Sequence, residues 1–256
     1  MKKKTVIGLA LSAVVIASCS LGAFYTYEAH SLKKYKEMPI SLPEGFTYTA
    51  HTGCVGTEDN SLESIDVGAA YGADIVEFDL NFLSDGTPVL SHDAPEGEVV
   101  TLDEAFGKLS EYPDLMANVD AKSTQNLKAV KELAEKHGVL DRVFYTGIEE
   151  KDVAAVKEQT PDIPYYLNVT DVRAPSRHSD EYLLSLVQRV KDSGAVGINF
   201  NKDKASEKLV EAFHDNGLLV SIWTVNKEKD IYRILSYSPD NITTRNPDLL
   251  KSILSK

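Results

Sequence analysis

From about Phe46 to the end of the chain, short apolar stretches alternate with amphipathic ones of helical period. The pattern predicts strands over Phe46–His51, Asp74–Phe82, Met116–Lys122, Arg142–Thr146, Pro164–Val169, Ala195–Asn201, Leu218–Val225 and Asn241–Thr244. It predicts helices between them, such as Ser123–His137, Glu149–Gln159, Asp180–Asp192, Ala205–Asn216 and Glu228–Leu235. Gly138, Gly194 and Gly217 fall where helix C-terminal caps belong. Alternating strands and helices imply parallel strands joined by crossover helices. Eight such units in about 210 residues fit an α/β fold closed as a (βα)8 TIM barrel. A doubly wound open sheet is the fallback, and no Gly-rich dinucleotide fingerprint follows the first strand to favour it. In a (βα)8 barrel the chemistry sits at the C-terminal ends of the strands, so polar residues there are the candidates.

The pattern breaks down ahead of Phe46. Lys2, Lys3 and Lys4 precede an uncharged run from Thr5 to Tyr27, which reads as a secretion signal. Ile16-Ala17-Ser18-Cys19 looks like a lipoprotein processing site with Cys19 lipidated. The apolar character continues through Leu21-Gly22-Ala23-Phe24, long enough for an uncleaved transmembrane anchor with Tyr25 and Tyr27 at the interface. Either way the bulk of the chain is expected at the outer face of the cytoplasmic membrane. Residues 28–45, charged and containing Pro43, read as a linker, and 46–256 as the barrel.

A chain of 256 residues suits one large α/β domain or two small ones, and a hydrophobic share of 43% is ordinary for a soluble globular protein. Its formal net charge of −12 repels nucleic acid and excludes that partner. Cys19 lies in the membrane segment, so Cys54 is expected to form no disulfide, and nothing nearby in sequence activates it as a nucleophile.

In the second predicted strand Val76, Phe78, Leu80 and Phe82 share one face, suited to packing on helices. Glu77, Asp79 and Asn81 share the other, which points into the barrel. Two carboxylates on one inward face repel each other and are costly to bury. A hard divalent cation such as Mg2+ or Ca2+ removes that cost, and so do salt bridges to neighbouring strands. The third strand favours the cation. There Asn118, Asp120 and Lys122 share a face, so Asp120 can supply a third carboxylate and Lys122 can meet an anion. An Asp–Lys core ion pair is the plainer alternative. Among six histidines, His51 and His92 each end a strand-like segment. The Asp85-Gly86 turn folds Thr87–His92 back toward Glu77 and Asp79. Two histidines flanking a metal suit acid–base chemistry near neutral pH. His137 and His214 sit at helix ends and read as structural, and His30 and His178 carry no signal.

These residues resemble the glycerophosphodiester phosphodiesterase family. Its His-Arg-Gly looks like His51-Thr52-Gly53 and its Glu-Asn-Thr like Asp59-Asn60-Ser61. Its Gly-Ala-Asp, Glu-x-Asp, Asp-Gly and His-Asp series matches Gly72-Ala73-Asp74, Glu77-Phe78-Asp79, Asp85-Gly86 and His92-Asp93. Asp120-Ala121-Lys122, Trp223-Thr224-Val225-Asn226 and Thr244-Arg245-Asn246-Pro247 match its later motifs. The resemblance runs from about Phe46 to the C-terminus and implies a metal-dependent (βα)8 hydrolase that cleaves glycerophosphodiesters to an alcohol and glycerol phosphate. By position it implies Glu77, Asp79 and Asp120 as ligands of Mg2+ or Ca2+, and His51 and His92 as the acid–base pair. Lys122 would face the phosphate, Trp223 would line the pocket, and Asp59 would help bind substrate.

The departures are specific. Thr52 stands where the family has arginine, which removes a bidentate phosphate contact. Asp59 and Asp120 replace glutamates, although sphingomyelinase D type enzymes also look similar at Asp120-Ala121-Lys122. After His92-Asp93 the family carries an Arg-Thr-Thr motif and an inserted subdomain, whereas here Thr101-Leu102-Asp103-Glu104 starts a helix at once. The site is expected to be open, which points away from strict glycerol specificity and toward a bulkier lipid-derived phosphodiester. The alternatives are a sphingomyelinase D or lysophospholipase D type activity, or a catalytically weakened envelope protein that binds a phosphodiester.

Overall fold

The computed structural model describes residues 29–175 and 178–255. Among the described residues, nine strands form one sheet. They are β1 (Thr47–Ala50), β2 (Ile75–Phe82), β3 (Pro88–Leu90), β4 (Met116–Ala121), β5 (Val143–Ile148), β6 (Tyr165–Asn168), β7 (Gly197–Asn201), β8 (Leu219–Trp223) and β9 (Asn241–Thr244). All except β3 run parallel, and β1 pairs with both β2 and β9, so eight strands close into a barrel. The TIM barrel predicted from the alternating pattern is what the chain forms.

Each barrel strand is followed by a helix. They are α1 (Leu62–Ala70), α2 (Leu102–Ser110), α3 (Leu127–Lys136), α4 (Val153–Gln159), α5 (Asp180–Ser193), α6 (Glu207–His214), α7 (Glu228–Leu235) and α8 (Pro247–Leu254). Their ends are written in the sequence. Ser61, Ser179 and Ser206 each accept a backbone N–H from the first turn of α1, α5 and α6. Thr101 and Glu104 form a reciprocal capping box on α2. The expected glycine caps after α3, α5 and α6 are left-handed, with φ of 66° at Gly138, 81° at Gly194 and 70° at Gly217.

The outward face of β2 is the apolar one. Val76, Phe78, Leu80 and Phe82 are buried against the helices, and Phe78 meets Phe106 of α2 edge to face, with ring centroids 6.2 Å apart. Each such side chain contributes about 1.5–3 kcal/mol by leaving water. Inside the barrel, Ile75, Phe144 and Tyr166 with Met116 form a small apolar plug at the N-terminal end. Above it the interior turns polar, with Asn118, Thr146, Asn199, Ser221, Asn241 and Thr243 buried. Those polar groups lie under the strand ends where a ligand enters.

Strand β3 is the folded-back segment that the Asp85-Gly86 turn predicts. It pairs antiparallel to β2, Leu80 opposite Leu90 and Phe82 opposite Pro88. Residues 29–36, within the segment read as a linker, are helical. Leu32 and Tyr35 pack against the core, and Lys36 reaches Glu228 at 2.7 Å. The segment read as signal or anchor, residues 1–27, lies outside the described residues. No described helix is long and apolar enough to cross a membrane.

Candidate active site

One cavity of about 540 Å3 opens at the C-terminal ends of the strands. It is lined by His51, Asp59, Glu77, Asp79, His92, Asp120, Lys122 and Trp223, all eight residues singled out in the sequence. Register explains the acid cluster. In the β2–β4 ladder Asp79 lies beside Asp120, and Glu77 lies one inward step below. One ligand atom from each of Glu77, Asp79 and Asp120 falls within 4.8 Å of the others.

Glu77 and Asp79 are buried. Burial first, then the charges of Asp79 and Asp120, push the Glu77 carboxyl well above the usual carboxylate range. Lys122 answers part of this negative charge. Its Nζ lies 2.9 Å from Asp79 Oδ1 and also meets Asp120 Oδ2. Burial opposes its ammonium form, but the two aspartates outweigh burial and raise its pKa. With all three carboxyls ionised, they and one ammonium carry a formal charge of −2, which a divalent cation cancels. The plainer alternative, an Asp–Lys core ion pair, is therefore present but insufficient. An all-oxygen donor set of this kind suits a hard cation, and these residues fit one.

The acids are oriented by partners that the sequence did not advertise. Thr52 donates its backbone N–H to Glu77 Oε2 at 2.9 Å. Its hydroxyl accepts the Asn60 N–H at 2.5 Å. Asn60 then grips Asp79 twice, its amide donating to Oδ2 and its carbonyl accepting the Asp79 N–H, both at 2.9 Å. Thr52 is thus more than a lost arginine, because it ties two of the three acids in place. The third is held by Thr146, whose hydroxyl lies 2.7 Å from Asp120 Oδ1 and 2.8 Å from Asn118 Oδ1. A bulge between Tyr145 and Ile148 sets that position. Gly147 sits in it with φ of 76°, its N–H donating to Asn168 Oδ1 at 3.0 Å. A side chain there would strike the Ala121 backbone and approach Asp120 Oδ1 to 2.9 Å. Nothing in the apolar–polar alternation of β5 signals this bulge.

His51 follows β1, where its N–H donates to the Thr244 carbonyl at 2.8 Å. Its Nδ1 lies 2.9 Å from the Thr52 carbonyl and 3.5 Å from Glu77 Oε2. A carbonyl only accepts, so Nδ1 carries the proton and Nε2 is the basic nitrogen. Burial is the main cause that lowers the imidazole pKa; the Thr52 carbonyl opposes it and Arg245 reinforces it. The ring is neutral near pH 7, which favours a hydrogen-bonded base over an ion pair with Glu77.

His92 differs. Its side chain is 68% exposed, and Nδ1 meets only Asp93 Oδ1 at 3.1 Å. The backbone around it is pinned: Ser91 N–H donates to the Asp79 carbonyl at 3.0 Å, and Asn81 Nδ2 donates to the Asp93 carbonyl at 2.8 Å. Asn81, inward on β2 as predicted, therefore serves the histidine turn and not the acid cluster. Asp59 is not a lone acceptor, since it pairs with Arg245 at 2.8 Å. Trp223 ends β8 in the lining, with its Nε1 buried and without a partner among the described residues.

The other described histidines and Cys54 stay out of the site. His137 pairs with Asp103 at 2.6 Å and His214 with Asp240 at 2.8 Å, both near helix ends as predicted. Cys54 is fully buried, and burial raises its thiol pKa, the opposite of activation.

The model of the glycerophosphoryl diester phosphodiesterase family matches residues 45–128 and 96–249 of the chain. The chain belongs to that family. A glycerophosphodiester phosphodiesterase of Caldanaerobacter subterraneus subsp. tengcongensis is 26% identical over 239 residues, covering 81% of this chain and 97% of the relative. One from Bacillus subtilis is 22% identical over 262 residues, with coverages of 82% and 87%. The solved structure of an Oleispira antarctica phosphodiesterase in complex with the product sn-glycerol-3-phosphate superimposes with a TM-score of 0.69 at 18% identity, over 87% of this chain and 99% of that one. That likeness establishes the shared barrel fold, and the family match makes this barrel a phosphoric diester hydrolase.

Proposed function

We propose that this chain is a metal-dependent phosphodiesterase that hydrolyses a water-soluble glycerophosphodiester or a related polar phosphodiester to an alcohol and a phosphomonoester. The observation that carries the reading is the convergence of Glu77, Asp79 and Asp120 with Lys122 and His51 at one cavity. Mg2+ or Ca2+ bound by the three carboxylates would screen the phosphate and stabilise charge developing in the transition state. Lys122, at the edge of the acid cluster, faces the anionic diester. His51 Nε2 takes a proton from the attacking water, whose oxygen forms the new P–O bond, while Nδ1–H stays on the Thr52 carbonyl and fixes the ring. As the P–O bond to the alcohol breaks, His92 at the open mouth delivers a proton to the departing oxygen. Its exposure suits contact with a leaving group that exits to solvent.

The lining bears on the substrate. Among the described residues lining the cavity, Ala121 and Trp223 are the only apolar side chains, against a wall of hydroxyls, amides and charges. Among these residues no aliphatic side chain is larger than that of Ala121, so the lining offers an acyl chain no aliphatic channel. The openness expected from the short return after His92 admits a bulky alcohol, lipid-derived or not, and the polar lining favours a polar alcohol over a lysophospholipid. Hydrolysis of glycerophosphocholine and lysophosphatidylcholine, with EDTA and after adding back Mg2+ or Ca2+, tests the reading. Metal-dependent release of glycerol phosphate from the first is expected. Absence of metal-dependent turnover of either would overturn it, and preference for the second would transfer the assignment to the lysophospholipase D type.

The basic start and apolar run before Tyr27 support a location at the outer face of the cytoplasmic membrane. Protease digestion of intact spheroplasts, with loss of the barrel and survival of a cytoplasmic marker, is the expected result.

A further inference from the structure

We infer that Arg245 is a phosphate-binding residue of this site, delivered from the end of β9 and held in position by Asp59. The inference rests on the phosphodiesterase reading above, and four observations carry it.

Arg245 is the first residue beyond β9, and its backbone is clamped on both sides. Its N–H donates to Asn226 Oδ1 at 2.8 Å, and its carbonyl accepts the Val55 N–H at 2.9 Å. Asn246 Nδ2 donates to the Asn226 carbonyl at 2.8 Å and locks the same turn. The side chain therefore starts from a fixed point on the cavity wall.

The guanidinium lies over the turn that carries His51. A Cβ on Gly53 would fall 2.8 Å from Arg245 Nη1 and would strike the Asp59 carboxylate. Gly53 has φ of 70°, so glycine serves twice here, for the left-handed backbone and for the space the ion pair occupies. Arg245 is also near enough to His51 to favour its neutral form.

Among the described residues, three cations line the cavity, Lys122, Lys151 and Arg245. Lys122 is engaged by the metal-site carboxylates. The Lys151 side chain is 73% exposed and lies beyond β5, paired with Glu149. Among these three, Arg245 is the one on the His51 side.

Asp59 grips Arg245 through Nη1 at 2.8 Å and Nη2 at 3.2 Å, and both side chains remain substantially open to water. A guanidinium carries five donors in a planar fork, so this pair leaves donors for phosphoryl oxygens. Asp59 is accordingly a positioning residue. The arginine expected at position 52 is met from the opposite end of the chain, because β1 and β9 are neighbours in the closed barrel.

The test uses the full chain loaded with Mg2+ or Ca2+, bis(p-nitrophenyl) phosphate as substrate and inorganic phosphate as probe. For R245A, kcat/KM is expected to fall about 100-fold and phosphate binding to weaken at least about 10-fold. R245K should recover only part of the loss, because a point charge does not reproduce the fork. Methylguanidinium should restore rate to R245A, which a purely structural role would not allow. If R245A melts early, R245Q, which keeps most of the side chain, is read in its place. Phosphate affinity and kcat/KM unchanged in R245A or R245Q, while His51→Ala is inactive, would overturn the role of Arg245 and leave the phosphodiesterase reading intact. Absence of metal-dependent hydrolysis in the parent would sink that reading instead. Phosphate calorimetry on the metal-loaded protein would then still decide whether Arg245 binds the anion.

Discussion

The two histidines of this site are built in opposite ways. His51 is largely buried, its ring fixed by the Thr52 carbonyl at 2.9 Å, and it stands beside acids held by Thr52, Asn60 and Thr146. His92 rides on a pinned turn, yet its ring projects into solvent with Asp93 as its hydrogen-bond partner. The inner half is tied down by hydrogen bonds from several directions; the outer half leaves its ring exposed with one polar partner. Preorganisation is where catalytic electrostatics gain most, so damage to the inner half should cost more.

The largest effect is expected at Glu77. Glu77→Gln should lower metal-dependent activity by about 10^3-fold or more, with loss of cation binding in calorimetry. The same change should have the reverse effect on the metal-free fold. Burial and two acid neighbours raise the folded pKa of Glu77 above its unfolded value. Between those two values the folded state holds the extra proton, so stability falls as pH rises through that window. Metal-free wild-type protein should therefore melt lower at pH 7 than at pH 5.5, and Glu77→Gln should flatten that slope. Saturating divalent cation should raise the wild-type melting temperature at pH 7, in line with linkage. A flat profile in the metal-free protein would break the claim that these acids are strained without a cation.

The second comparison separates the histidines by leaving group. His51→Ala should cost about 10^3-fold with any substrate, since the attacking water needs a base whichever group leaves. His92→Ala should cost about 10^2-fold with glycerophosphocholine, whose alkoxide needs a proton. It should cost little with a p-nitrophenyl ester, whose phenolate leaves without one. Equal losses with both substrates would take the general-acid role away from His92.

The legible part of the molecule was the part with a period. The apolar face of β2, the eight alternating units and the glycine caps follow from spacing, and the acid triad follows from spacing plus strand order. What stayed hidden has no period. Thr52 looked like a deficit because its side chain is not basic, yet its contribution runs through a backbone N–H and a hydroxyl. Restoring arginine there would delete the hydroxyl that holds Asn60, so it is a poor way to probe a missing phosphate contact. Arg245 was visible as a motif residue, but only closure of β9 on β1 puts it over Gly53. The bulge at Gly147 is a two-residue irregularity that no alternation rule detects.

Gly147 tests whether the preorganised half depends on that irregularity. Gly147→Ala places a methyl against the Ala121 backbone at a left-handed φ of 76°. The expected cost is about 2–3 kcal/mol of stability, read by denaturant melts with m unchanged. Thr146 should lose its hold on Asp120, so cation affinity should weaken as well. Lost stability with cation affinity intact would show that the bulge supports the barrel and not the site.

The smallest expected effect lies behind the outer histidine. After His92 the chain returns to the barrel wall through an N–H···O bond from Leu90 to Val100 at 2.8 Å and a bridge between Val89 and Thr101. Thr101 then caps α2, accepting the Glu104 N–H at 3.2 Å, while Glu104 Oε2 accepts the Thr101 N–H at 2.8 Å. Thr101→Ala should cost about 1 kcal/mol, the usual worth of such a cap. Because the box closes the loop that carries His92, the residual effect on catalysis should follow His92 and not His51. Turnover of glycerophosphocholine should drop a few-fold, while p-nitrophenyl ester hydrolysis, phosphate affinity and cation affinity stay level. A matched loss with both leaving groups would mean that the return loop also shapes the inner half, and the division between a fixed base and an exposed acid would fail.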